Sequence, residues 1–197
     1  PPSRFQHVTV NLAGHTALIS RTSYSGDDGF EIFVGSEAAL EIWPLLIEMG
    51  AEPVGFDALN IARIEAGLLF FGLDMTGNET PTELDLNFIV DCINHNFRGK
   101  SAFLKNKEKP KIKTVGLIVS SPNLLLGNEK LFIGASVEGL IRSFARSEWL
   151  NKTIAIAHVD LKYASEGQEF SVGDDDFSTG KKIVAKICSR RFYNQLM

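Results

Sequence analysis

RTSYSGDDGFEI, residues 21–32, decides how this chain is read. Glycine and aspartate cluster at its centre, between two runs in which apolar and polar side chains alternate as they do in strands. Gly26 and Gly29 allow the turn to fold tightly, which carries Tyr24 and Glu31 towards one ligand. A carboxylate accepts parallel hydrogen bonds, and a tyrosine adds a flat face with a polar tip. A surface hairpin turn with an incidental tyrosine is the plainer reading of the same residues.

Working outward, residues 7–11 and 16–22 alternate around Ala13-Gly14, which predicts a hairpin before the turn. After it, residues 30–34 read as a strand and Ser36 as the cap of a helix that starts at Glu37. Leu40, Trp43, Leu46 and Ile47 would form that helix's apolar stripe, and Gly50 its end. A second helix is expected over residues 57–66, stopped by Gly67, and a third over residues 100–109, stopped by Pro110. Between them, residues 72–82 form a polar connection and residues 84–91 a short strand.

From residue 114 the character changes. Residues 114–119, 130–133, 137–144, 153–159, 169–172 and 182–188 are short β-rich runs split by turn signals, a spacing that favours a small barrel or sandwich. The predicted class is therefore α+β. A mixed α/β module covers residues 1–110 and a small all-β barrel residues 111–197, with the boundary in the lysine-rich segment 105–113.

Composition removes several function classes. At 44% hydrophobic and 22% charged the chain is globular, and a formal charge of −4 with no basic run argues against nucleic acid as a partner. Apolar stretches fall far short of the roughly 20 residues that cross a bilayer, so no membrane span is expected. Cys92 and Cys188 cannot frame a disulfide scaffold and read as reduced, partly buried thiols. His7, His15, His95 and His158 lack the spacing of a metal site. Asp174 to Asp176 reads as a solvated turn, because the alternate ligands of a calcium loop are missing. The start, Pro1-Pro2-Ser3, has no features of a signal peptide and looks like a cut through something longer.

Arg63 opens RIEAG, residues 63–67, among Ile61, Ala62, Ile64 and Ala66, so its charge needs a partner or solvent. The helical neighbours three and four residues away are Leu59, Asn60, Ala66 and Gly67, none of them acidic. An ionic partner must then be tertiary, such as Glu31, or a ligand.

In order and spacing, RTSYSGDDGFEI, RIEAG, the dipeptide Thr80-Pro81 and FRGKSAF at residues 97–103 resemble the carboxyl-terminal half of the aminomethyltransferase family. The best-known member is the T protein of the glycine cleavage system, and the wider family includes folate-using sarcosine and dimethylglycine dehydrogenases and a dimethylsulfoniopropionate demethylase. The resemblance runs over nearly the whole chain and is closest between residues 21 and 103. It implies the distal half of a tetrahydrofolate-dependent aminomethyl or methyl transferase in the cytoplasm, working with a small-molecule one-carbon donor or a lipoyl carrier protein.

By the same resemblance Tyr24 and Glu31 contact the folate, the carboxylate taking the amino-pyrimidinone edge of the pterin. Arg63 would line that pocket, and Tyr193 would close the cleft from the barrel side. The family's catalytic aspartate belongs to an amino-terminal portion with no counterpart here, so this chain alone is expected to have no transferase activity. FDALN at residues 56–60 departs from the glycine-cleavage pattern towards the dehydrogenases. Asp85 stands where the family has glycine, so a left-handed backbone there would cost more than usual. Two other readings are a non-catalytic folate-binding module of the same fold and the folate domain of a dimethylglycine or sarcosine dehydrogenase.

Overall fold

The structure is a computed structural model that describes residues 1–120, 128–173 and 183–195. By its internal contacts the chain divides into two compact units, Pro1–Arg63 and Ile64–Met197. Among the described residues no helix is long and apolar enough to cross a membrane. The predicted turn at Asp174 to Asp176 lies outside the described residues.

In the first unit, β1 (His7–Leu12), β2 (His15–Ser20) and β3 (Glu31–Phe33) form an antiparallel sheet in chain order. The β1–β2 hairpin turns on two residues, Ala13 at φ 51° and Gly14 at φ 87°, the left-handed pair that matches strand twist. The Asn11 side chain accepts a hydrogen bond from Gly14 N at 3.0 Å and holds that turn. Val8 pairs with Ile19, Val10 with Ala17, and Ile19 with Ile32. Alternation therefore gathers these apolar residues on one face and Thr9, Leu18, Ser20, Glu31 and Phe33 on the other.

The helix α1 (Ser36–Glu48) corrects two expectations. Gly35 takes the capping position and Ser36 is already helical, with no side-chain cap. The buried side is Ala38 and Ile42, whereas Leu40 is 77% and Trp43 58% exposed. Several apolar side chains surround this helix, so spacing alone does not select a face. Glu41 lies on the Ala38 side and meets His15 of β2 at 2.9 Å, which marks the side of the helix turned to the sheet. Gly50, at φ 96°, ends the turn as expected, its N–H donating to Ile47 O. The next helix, α2 (Phe56–Glu65), starts one residue before the predicted one and is stopped by Gly67 at φ 72°.

The second unit is built on a closed six-stranded barrel, settling the choice between barrel and sandwich. Its strands are β4 (Ile112–Val119), β5 (Lys130–Ile133), β6 (Ser136–Ser147), β7 (Lys152–Asp160), β8 (Glu169–Gly173) and β9 (Ile183–Cys188). They run in the order β4-β7-β6-β5-β8-β9, and β9 returns to pair with β4. Leu117, Leu131, Ile141, Ala157, Val159 and Phe170 fill the interior. A bulge between Ile141 and Ser143 lets both Ile141 and Phe144 face that interior, although they are three residues apart.

Residues 84–91 do not form the predicted strand. Asp85 sits at φ 58°, Leu86 N donates to Pro81 O at 2.8 Å, and a 3-10 helix (Asn87–Ile89) follows. An extended strand cannot pass through a left-handed residue. The helix α3 (Lys100–Lys107) stops two residues short of the predicted end, because a residue preceding proline is pushed out of the helical region. Strand β4 and the segment after β9 hold this connecting segment. Thr114 gives both its N–H and its hydroxyl to Glu83 O, at 2.8 and 2.9 Å, and Arg190 donates to Leu84 O at 3.0 Å. Cys92 and Cys188 form no disulfide among the described residues, and both are half-buried.

Candidate functional site

The sheet edge and the glycine-rich turn together position Glu31. As the first residue of β3, it lies opposite Ser20 of β2, and the turn between them spans residues 21–30. The Thr22 hydroxyl donates to Glu31 Oε2, and Thr22 Oγ1 lies 3.0 Å from Ser20 Oγ. Glu31 Oε1 makes no hydrogen bond among the described residues. The carboxylate thus has one oxygen anchored and most of its lone pairs open on an exposed face of the sheet.

The turn is clipped at its base. Arg21 donates from Nε to Asp28 Oδ1 at 2.9 Å and from its terminal nitrogen to Oδ2 at 2.6 Å, a two-pronged ion pair. That hydrogen bond is the main reason Asp28 lies below the usual carboxylate range, and it raises Arg21 in return. The backbone of Arg21 is pinned on both sides, its N–H to Gln6 O and its carbonyl to Phe5 N, each at 3.0 Å. Inside the turn Ser23, 3.1 Å from where a side chain on Gly29 would begin, explains the second glycine. Tyr24 is half-buried in this loop.

Arg63 occupies the last turn of α2 and is fully buried. Its Nε donates to Asn60 Oδ1 at 2.9 Å. A search for acids at helical spacing passes over this neutral acceptor one turn back. Tyr193, in the 3-10 helix Phe192–Gln195 of the second unit, stacks edge to face on Trp149 with ring centres 5.0 Å apart. Its hydroxyl donates to Glu65 Oε2 at 3.3 Å, and Ser147 donates to Glu65 Oε1 at 2.5 Å. The glutamate of RIEAG is therefore an anchor on β6. Its mark in the sequence is a carboxylate embedded among Ile64, Ala66 and Leu68, where only hydroxyl or cationic partners make burial tolerable.

Thr22 and Ser20 are the site residues that sequence reasoning missed. A hydroxyl beside a strand carries no distinctive spacing, and only the cross-strand register shows that it faces a carboxylate. The opposite face of the same sheet holds a hollow of about 540 Å³ lined by Pro1, Pro2, Val8, Val10, Ile19, Phe30 and Ile32. Its walls offer almost nothing to a polar ring, and Glu31, alternating with Ile32, points to the other side. Among the described residues no group of three or more His, Cys, Asp or Glu could hold a metal ion.

Residues 3–93 match the family of the GCVT N-terminal domain, and residues 113–194 match the glycine cleavage T-protein C-terminal barrel domain. The chain is 32% identical over 192 residues to the aminomethyltransferase of Thermosynechococcus vestitus, covering 97% of this chain and 51% of that protein. It is 34% identical over 191 residues to the aminomethyltransferase of Thermoanaerobacter pseudethanolicus, with 94% and 51% covered. The crystal structure of glycine cleavage system aminomethyltransferase T from Bartonella henselae superposes with a TM-score of 0.81 at 29% identity, over 89% of this chain and 49% of that one. The chain spans about half the length of the curated relatives it matches.

Proposed function

This chain belongs to the aminomethyltransferase, or glycine cleavage T-protein, family, and on that premise we propose that it forms the folate-binding distal half of a one-carbon transferase. The observation that carries the reading is the exposed Glu31 carboxylate, fixed through one oxygen at the mouth of the glycine-rich turn. A pterin presents an amine and a ring N–H side by side, and a carboxylate with three lone pairs unused meets that edge. Tetrahydrofolate, when bound, supplies the nitrogen that captures the one-carbon unit.

This chain's own residues bind and orient. Glu31 sets the rotation of the pterin in its plane. Tyr24 packs beside the ring, and Arg63 balances charge in the pocket or meets the folate directly. Tyr193, in the barrel unit, offers a ligand its ring, since its hydroxyl is engaged by Glu65. Orientation supplies much of the rate in such a transfer, because holding donor and acceptor in attack geometry removes most of the entropic cost. Relatives that carry the name aminomethyltransferase support aminomethyl transfer over a dehydrogenase's folate domain, and a lipoyl carrier protein or a small one-carbon donor would deliver the group. The functional modules are residues 1–110 and 111–197.

Titration with tetrahydrofolate tests this reading. Glu31→Ala is expected to weaken binding at least about tenfold, the loss of a bidentate charge-assisted contact. Arg63→Ala is expected to weaken it as well, and unchanged affinity in both variants removes these residues from the site.

A further inference from the structure

We infer that Thr22 is a positioning residue for Glu31, backed by Ser20, so that three side chains act as one relay that presents a carboxylate to the ligand. The inference rests on the folate reading of Glu31. Proton counting gives the relay its direction. Thr22 has a single hydroxyl proton and donates it to Glu31 Oε2, so the 3.0 Å contact between Ser20 Oγ and Thr22 Oγ1 is filled by the proton of Ser20. Ser20 donates to Thr22, and Thr22 donates to the carboxylate. Ser20 is also the cross-strand partner of Glu31, so the relay leaves and rejoins the same rung of the sheet.

An exposed glutamate with no anchor samples many rotamers, and fixing it on ligand binding costs side-chain entropy. Here the anchor is a β-branched residue with a stiff first torsion. It follows Arg21, whose N–H and C=O are both bonded to the strand-leading segment at Gln6 and Phe5. Thr22 therefore has little freedom before Glu31 is added. The anchor takes one lone pair of Oε2 and leaves Oε1 open, which orients the carboxylate without blocking its outer edge.

Tetrahydrofolate affinity of the full chain is measured for Thr22→Val, Thr22→Ser, Ser20→Ala, Glu31→Ala and the double variant Thr22→Val with Glu31→Ala. Thr22→Val keeps shape and removes the donor. It is expected to weaken binding about 5- to 10-fold, Thr22→Ser to keep wild-type affinity, and Thr22→Val to add nothing once Glu31 is alanine. Should Thr22→Val fail to fold, Ser20→Ala is the second probe, with an expected two- to threefold loss that also vanishes without Glu31. A ligand-free readout accompanies these, the scalar couplings of the Glu31 side chain, expected to report one χ1 rotamer in the wild type and an average in Thr22→Val. Loss in Glu31→Ala with none in Thr22→Val overturns the relay and leaves the folate reading standing. No loss in Glu31→Ala overturns the folate reading itself. An equal loss from Thr22→Val with or without Glu31, or averaged couplings in the wild type, overturns positioning.

Discussion

The barrel and the three-stranded sheet solve the same problem to different degrees. Every barrel strand has two hydrogen-bonded neighbours, and Leu117, Leu131, Ile141, Ala157 and Val159 are fully buried between them. In the sheet, β1 and β3 each have one neighbour, and the buried apolar side chains of the first unit are Ala17, Ala38 and Ile42 among the described residues. Closure removes sheet edges and builds a core at once. A short open sheet with its helices gains neither, so its order depends more on turns, clips and polar contacts. The unit with the small core carries Glu31 and Tyr24, and an uncovered face there is what the proposed ligand site requires.

The largest effect that would break this contrast is a core truncation. Phe170 is 2% exposed inside the barrel, and Phe170→Ala is expected to cost about 3–5 kcal/mol in urea unfolding. Leu40→Ser on α1, where the side chain is 77% exposed, is expected to stay within about 0.5 kcal/mol. Comparable losses from the two would mean that the open unit hides a core of its own. Next in size is Gly67→Ala. The backbone there has φ 72°, and a methyl group would start 2.5 Å from Arg190 O, so left-handed strain adds to a backbone clash. About 2–4 kcal/mol is expected, read from the same unfolding curves.

A pH scan sharpens the comparison, because the barrel carries a buried histidine. His158 on β7 is 8% exposed, and burial is the main cause that lowers its pKa, followed by the nearby Arg142 charge. Glu79 and Asp74 face the same ring and pull the other way. In the unfolded chain the imidazole returns to its ordinary value near 6.5. Between the two values the unfolded chain binds more protons, so barrel stability is full above pH 6.5 and falls as pH drops towards the folded value. Urea midpoints at pH 7.5, 6.5 and 5.5 should decline in the wild type, and His158→Gln should flatten that decline. An unchanged slope in the variant would place the titrating group elsewhere.

How much of this was legible in the chain differs between the units for the same physical reason. In the barrel, short β-rich runs and turn spacing mark all six strands, and β4 and β7 are buried on both faces, so composition carries the signal there. β6 runs to Ser136 and Ser147, beyond its apolar stretch, since Ser136 pairs with Ile133 of β5 and Ser147 with Lys152 of β7. In the first unit α1 is legible as an element but its buried face is not, because Leu40 and Trp43 look like core residues while Ala38 and Ile42 are the ones buried. The segment 84–91 reads as a strand in composition, yet one left-handed Asp85 bends it. Tyr24, Glu31 and Arg63 drew attention by residue type and motif. Thr22, Ser20 and Asn60 did not, since what matters about them is the register or helical turn that sets them beside a charge.

The smallest expected effect probes the clip that holds the glycine-rich turn. Arg21 and Asp28 form a forked ion pair on the surface, so salt screens it and the barrel should not feel its loss. In Asp28→Asn the fork is reduced to neutral contacts. Amide hydrogen exchange at neutral pH should speed up in residues 23–29 and stay unchanged in the barrel strands, and 0.5 M salt, at a Debye length of about 4 Å, should move the wild type the same way. The pH dependence has a fixed sign. Asp28 is depressed in the folded chain by Arg21, so the clip is present above the ordinary carboxylate value of 3.8 and is lost as pH falls through the lower folded value. Exchange in residues 23–29 that ignores both the variant and the salt would show that backbone bonds at Phe5 and Gln6 hold the turn unaided, and that the open unit is stiffer than its small core implies.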